Sequence, residues 1–257
     1  MFLLSLLCSC ESMLNSMAFF PDTDYSVRKE KLPSYVDPIN LTTNDGIMLE
    51  ALYFRHSEKT GRIVIYFHGN AGNLYHRIHE GKIIFNMGYD LIISGYRGYG
   101  GSSGTPTEDG IYEDGKCILT YVTGTLNYSP DKVYLYGRSL GTTVAVHIAQ
   151  NKDLGGVILI TPLTSAEEFI SEKFPGMLRS LGRKRFQSIE KINSLRSPLL
   201  VIHGTHDEVI PYNLGVKLYN AFSGRKEFVT IKGGGHNNLE FVDPGLYWSS
   251  VRNFLAR

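Results

Sequence analysis

Val133-Tyr134-Leu135-Tyr136-Gly137-Arg138-Ser139-Leu140-Gly141-Thr142-Thr143-Val144 is the stretch that decides the fold. Val133–Tyr136 is a short apolar run of the buried-strand type, and Leu140–Gln150 reads as a helix. Between them stands Gly-x-Ser-x-Gly, a pattern that carries chemistry only in this strand–turn–helix setting. The turn is so tight that side chains two residues before and after Ser139 would strike neighbouring backbone, so both positions are glycine. Ser139 Oγ is thereby presented at the carboxyl end of a strand, above a helix N-terminus whose dipole favours developing negative charge. This makes Ser139 a nucleophile; the competing reading is a serine that only caps the helix.

Outward from this elbow the chain repeats a strand-then-helix rhythm. Ile39–Thr42 and Met48–Phe54 flank Asn44-Asp45-Gly46, a hairpin turn. Short buried-type runs follow at Ile63–Phe67, Leu91–Ile93, Val133–Tyr136, Val157–Ile160, Leu199–Ile202 and Phe228–Ile231. Helical stretches lie between them, among them Leu74–Met87, stopped by Gly88. Asp243-Pro244 supplies an N-cap and an N1 proline for a last helix, Gly245–Leu255. The alternation predicts one α/β domain with a mostly parallel sheet covered by helices on both faces. Leu163–Ser197 is too long for a simple crossover and reads as a small helical lid inserted above the sheet. No repeat, low-complexity tract or interdomain linker interrupts the pattern.

A serine hydroxyl is a weak nucleophile and needs a base, which needs an orienting carboxylate. Where the serine sits on such an elbow, the acid and then the histidine follow at the ends of later strands. Leu199–Ile202 runs into His203-Gly204-Thr205-His206-Asp207-Glu208-Val209-Ile210-Pro211. Phe228–Ile231 runs into Lys232-Gly233-Gly234-Gly235-His236-Asn237. His236 is the only histidine C-terminal to Asp207, which makes it the base and Asp207 the acid. Glu208 competes with Asp207; His203 reads as a structural residue at a strand end and His206 as a solvated one. A glycine-rich loop, His68-Gly69-Asn70-Ala71-Gly72-Asn73, follows Ile63–Phe67 and is placed to supply a backbone N–H to an oxyanion. Asn70 is the first choice for that donor and Ala71 the second, with Leu140, next to the nucleophile, giving the other N–H. His68 reads as a brace for the loop.

Composition limits the alternatives. The chain has 257 residues, with 26 Lys+Arg against 25 Asp+Glu and a formal net charge of +1. That balance excludes an electrostatic nucleic-acid binder, which needs a basic excess. A hydrophobic fraction of 42% with 12% aromatics excludes wholesale disorder. Cys8, Cys10 and Cys117 cannot build a disulfide framework, and no Cys/His spacing marks a zinc site. Neither a metal nor a cofactor is expected.

Five ordered motifs now stand together: His68–Asn73, Tyr96-Arg97-Gly98-Tyr99-Gly100, Gly137–Gly141, His203–Pro211 and Gly234–Asn237. With them the chain, over about residues 39–257, resembles the serine-hydrolase branch of the α/β-hydrolase superfamily, which includes serine aminopeptidase-like hydrolase domains. That branch holds bacterial membrane-associated or lipoprotein-type hydrolases and eukaryotic enzymes that remove palmitoyl groups from protein cysteines. The resemblance implies the α/β-hydrolase fold and the triad Ser139, Asp207 and His236. The pattern departs at Gly95, where many relatives carry an acidic residue before Tyr96-Arg97, so what braces Arg97 is left open.

Residues 1–10 are almost purely apolar, too short to span a bilayer at about 20 residues. Leu7-Cys8-Ser9-Cys10 looks like a bacterial lipobox with Cys10 as the lipidated residue, although no Lys or Arg occurs before Arg28. The expectation is an exported, membrane-anchored lipoprotein. The alternatives are a tail packed on the domain and a cytoplasmic location. Residues 11–38 read as a connecting segment. The lid carries Lys173, Arg179, Arg183, Lys184, Arg185, Lys191 and Arg196 against four glutamates, with Phe169, Phe174, Met177, Leu178, Leu181 and Phe186 interspersed. Such a cover suits peripheral contact with an anionic membrane; equally, its charges form a solvated face over a sealed core. The expected activity is metal-free hydrolysis of a small-molecule or lipid-like acyl ester or thioester by a monomer. A peptidase with the same triad and a non-catalytic binding scaffold are the rivals.

Overall fold

A computed structural model describes residues 15, 18–24, 32–174, 182 and 184–257. The apolar segment 1–10 with Cys10, and Met177, Leu178, Arg179, Leu181 and Arg183 of the lid interval, lie outside the described residues.

Strand β1 is the two-residue segment Phe20–Pro21. It is followed by β2 (Val36–Thr42), β3 (Met48–Phe54), β4 (Ile63–Phe67), the two-residue β5 (Ala71–Gly72) and β6 (Asp90–Ser94). The last four are β7 (Val133–Arg138), β8 (Gly156–Ile160), β9 (Leu199–Gly204) and β10 (Lys226–Ile231). Eight of them form one sheet in the order β10-β9-β8-β7-β4-β6-β3-β2, parallel throughout except where β3 runs antiparallel to β2 and β6. Residues alternate between two cores because side chains alternate along a strand. In β4, Ile63, Ile65 and Phe67 enter one core and Val64 and Tyr66 the other. Helices α1 (Ile78–Phe85) and α8 (Pro244–Leu255) cover the second face; α2 (Glu108–Thr120), α3 (Leu140–Ala149) and α6 (Tyr212–Ala221) cover the first. The lid interval contains α4 (Ala166–Lys173) and α5 (Ser188–Lys191), and α7 (Leu239–Val242) follows β10.

The expected elements differ from this in a few places, each with a local cause. Strand β2 begins at Val36 rather than Ile39 and includes Pro38, tolerated because β2 is the sheet edge and a missing N–H costs little there. The helix expected over Leu74–Met87 is split into a 3₁₀ turn, Leu74–Arg77, and α1. The turn is set by Asn73, whose side chain accepts from Tyr75 N while its own N–H donates to His76 Nδ1 at 3.1 Å. Asp243 caps α8 through Leu246 N, as the Asp-Pro pair predicts. Four of the five described lid cations have partners within the molecule: Lys173 donates to the Glu208 carbonyl, Arg185 pairs with Glu108, Lys191 contacts His147 and Arg196 pairs with Asp153. These side chains are engaged within the molecule.

Candidate active site

The elbow between β7 and α3 sets Ser139 at φ 53° and ψ −120°, a backbone conformation that costs a non-glycine residue on the order of 1–3 kcal/mol. The flanking glycines are sterically required. A Cβ on Gly137 would lie 2.6 Å from the Gly141 carbonyl oxygen, and one on Gly141 would lie 2.0 Å from that of Phe67. Strand β4 passes against the elbow so closely that no side chain fits between them.

The structure brings Ser139, Asp207 and His236 together from the ends of β7, β9 and β10. Ser139 Oγ lies 3.0 Å from His236 Nε2, and His236 Nδ1 lies 2.9 and 3.1 Å from the two Asp207 oxygens. An ionised carboxylate only accepts, so Nδ1 carries the proton and Nε2 is free to accept from the serine hydroxyl. The Asp207 side chain is fully buried. Burial alone would raise its pKa, but hydrogen bonds from His203 and His236, with the backbone N–H of Ile210, hold it well below the ordinary carboxylate range.

His203, expected to be structural, shares this carboxylate. Its Nε2–H lies 3.1 Å from both Asp207 Oδ2 and the Ile210 carbonyl, so it shares Oδ2 with His236 Nδ1 and helps hold the carboxylate in place. The spacing His203–Asp207 at a strand end was the available signal for that role. Glu208 does not reach the His236 ring. It accepts the His236 backbone N–H at 3.2 Å and thereby fixes the histidine loop. His206 is exposed. His68 is fully buried; its Nδ1–H donates to the Gly69 carbonyl at 2.7 Å and its ring packs against Tyr96. Burial and the nearby Arg77 charge push its pKa down to about 3, so it is neutral.

Asn70 and Leu140 line the same cavity as Ser139. Leu140 opens α3, so its N–H is one of the helix amides without an intrahelical partner. Ala71 is exposed and pairs with Phe20 in the β1–β5 bridge. The cavity holds about 430 Å³ and is walled mainly by apolar side chains, including Ala166, Phe169, Ile170, Phe174 and Ile210. Among its described lining residues the charged one, Arg185, is already engaged by Asn15 Oδ1 at 2.6 Å and Glu108 at 3.7 Å. Sequence reasoning missed that Ala18 and Phe20 also form the wall. Arg97 is braced without an acid at position 95. Asp114 of α2 and Asp45 of the hairpin turn hold it at 2.7–3.2 Å, and a Cβ at Gly95 would lie 2.4 Å from the Glu50 carbonyl.

Among the described residues, no group of three or more His, Cys, Asp or Glu side chains is placed to hold a metal ion, and no helix is long and apolar enough to cross a membrane.

This architecture and site geometry are those of the α/β-hydrolase family, and the chain belongs to it. The family described as alpha/beta hydrolase fold matches residues 62–188. An uncharacterized protein of Mycobacterium tuberculosis is 33% identical over 227 residues, 88% of this chain and 80% of its own length. The human Alpha/beta hydrolase domain-containing protein 17B is 30% identical over 242 residues, 92% of this chain and 80% of its own. Among solved structures, an esterase of Pyrococcus furiosus shares the fold with a TM-score of 0.76 at 20% identity, over 93% of this chain and 98% of that one.

Proposed function

We propose that this protein is a serine hydrolase that cleaves carboxylic esters or thioesters through an acyl-enzyme. The observation that carries the reading is the unbroken hydrogen-bond chain Ser139–His236–Asp207 opening onto an apolar cavity. His236 Nε2 takes the Ser139 proton as Oγ attacks the acyl carbonyl, then returns it to the departing alkoxide or thiolate. The same nitrogen next draws a proton from water, whose attack on the acyl-enzyme frees the acid and restores Ser139. Asp207 holds the imidazole tautomer and stabilises the imidazolium. The Asn70 and Leu140 N–H groups receive the negative charge on the carbonyl oxygen in both tetrahedral intermediates.

The wall favours an acyl chain over a peptide with a free amine. Helix α4 turns Ala166, Phe169 and Ile170 to the cavity, whereas Glu167, Glu168 and Glu172 are not among its described lining residues. An aminopeptidase would need such a carboxylate at the mouth. A fluorophosphonate probe tests the reading first: labelling confined to Ser139 supports it, and no labelling defeats it. A panel of p-nitrophenyl acyl esters, acyl thioesters and aminoacyl amides then sorts the substrate class, with amides turned over fastest as the result that would overturn the ester assignment.

A further inference from the structure

Resting on that reading, we infer that the N-terminal segment Ala18–Asp22 is a positioning strap for the oxyanion loop, through the Phe20 backbone N–H. Asn70 lies between two peptide units, and the direction of its N–H follows from how both are held. The unit before it joins the Asn70 N–H to the Gly69 carbonyl, which accepts from His68 Nδ1 at 2.7 Å. The unit after it starts with the Asn70 carbonyl, which accepts from Phe20 N at 3.0 Å and Tyr99 OH at 2.7 Å. A trans peptide fixes its N–H opposite its C=O. Clamping the carbonyls on both sides therefore sets the Asn70 backbone dihedrals and aims its N–H.

The strap is anchored well beyond that one bond. Asp22 N donates to the Gly72 carbonyl at 3.2 Å, and the Asp22 carbonyl accepts from Gly100 N at 3.0 Å and Asn73 Nδ2 at 3.2 Å. Phe19 is buried in the main core with its ring edge-on to Phe186. A two-residue parallel pairing, β1 with β5, is far too short to stand as a sheet of its own. Here the anchors hold it in register with the loop that supplies the donor. Phe20 itself is 53% exposed, so its side chain does not explain why the chain follows this path. Its backbone donor does.

Removing one oxyanion donor typically costs 10²–10³ in kcat, and a donor left in place but loosely aimed loses part of that. Three variants of the full chain test the strap. Phe20→Pro deletes the N–H at a position that Pro21 already confines to extended backbone. Tyr99→Phe removes the other donor and keeps the ring. Phe20→Ala keeps the N–H and removes only the cavity wall. The readouts are kcat and KM for a short p-nitrophenyl ester and a long one, and the Ki of a trifluoromethyl ketone, which forms the tetrahedral oxyanion on Ser139.

Phe20→Pro is expected to lower kcat about tenfold and weaken the ketone by a matching factor, with the short ester's KM unchanged. Tyr99→Phe follows in the same direction, while Phe20→Ala raises KM for the long ester without that paired loss. A folded Phe20→Pro or Tyr99→Phe chain with the parent's kcat and Ki overturns the proposal. If Phe20→Pro does not fold, Tyr99→Phe decides alone. A parent chain inactive on every ester would instead defeat the hydrolase reading, so the two failures are told apart.

Discussion

Acid should destabilise this protein through one buried imidazole. His68 is fully buried and has its pKa pushed from 6.5 down to about 3 by desolvation and by the Arg77 charge. Its Nδ1–H faces the Gly69 carbonyl, which can only accept, and its Nε2 is buried without a hydrogen-bond partner. The unfolded chain therefore binds a proton on His68 that the folded chain refuses. The sign follows: the stability held by neutral His68 is fully present above about pH 6.5 and is lost as pH falls toward 3. Each pH unit in that window removes about 1.4 kcal/mol, so two units remove roughly 2.7 kcal/mol. That is a large share of a typical stability of about 5–15 kcal/mol. His147, whose pKa is lowered to about 4 by partial burial and the Lys191 charge, adds a smaller, solvent-screened loss. The His68→Asn variant isolates the buried group, since the Asn amide keeps a donor for Gly69 O and does not titrate. Urea unfolding at pH 7.5, 6, 5 and 4.5 should find the parent more stable at neutral pH and the gap closing by about 2–3 kcal/mol at the acid end. Parallel stability curves for the two chains would refute the assignment.

Four further outcomes are expected. Ser139→Ala should abolish ester hydrolysis with the thermal midpoint essentially kept; more than about a hundredth of the parent kcat would remove Ser139 from the nucleophile role. Asp207→Asn should lower kcat on the order of 10³–10⁴-fold by favouring the wrong imidazole tautomer, whereas Glu208→Gln, which still accepts the His236 N–H, should stay within a few-fold; the reverse ranking in steady-state kinetics would move the acid to Glu208. Gly141→Ala should destabilise by at least about 3 kcal/mol in denaturant melts, because its Cβ would lie 2.0 Å from the Phe67 carbonyl, and a change below 1 kcal/mol would contradict the close approach. Arg97→Met should cost about 3–5 kcal/mol by leaving the fully buried Asp114 carboxylate without a counter-cation and with only the residue 97 backbone N–H of its Arg97 bonds, with calorimetry as the check.

The sheet was legible because its strands are buried on both faces and read as continuous apolar runs, from Ile63–Phe67 to Leu199–Ile202. The elements that escaped notice carry their signals elsewhere. Helix α2 contains Gly110 and Gly115, which weaken a helical pattern; a Cβ on Gly110 would lie 2.5 Å from Arg97 Cδ, so the glycine serves packing rather than propensity. The β1–β5 bridge spans two residues and joins positions 51 apart, beyond the reach of any periodicity.

The same limit applies inside the site, and Arg138 makes it concrete. In the motif it is merely the residue before the serine, a position where the pattern demands nothing. In the fold its guanidinium is buried on the second face of the sheet, 3.2 Å from Glu240 and 3.4 Å from Glu80, whose carboxylate also accepts from Tyr66 and Tyr136. Glu240 stands four residues after His236, on α7. Arg138 therefore ties the strand that leads into Ser139 to the segment that follows His236, across 102 residues of chain. A buried guanidinium is costly unless its carboxylates are fixed, and the tyrosines around Glu80 fix one of them. Sequence order names the residues that must meet; the buried Arg138–Glu240 pair is one tie, invisible in that order, between the segments bearing Ser139 and His236, which stand 3.0 Å apart.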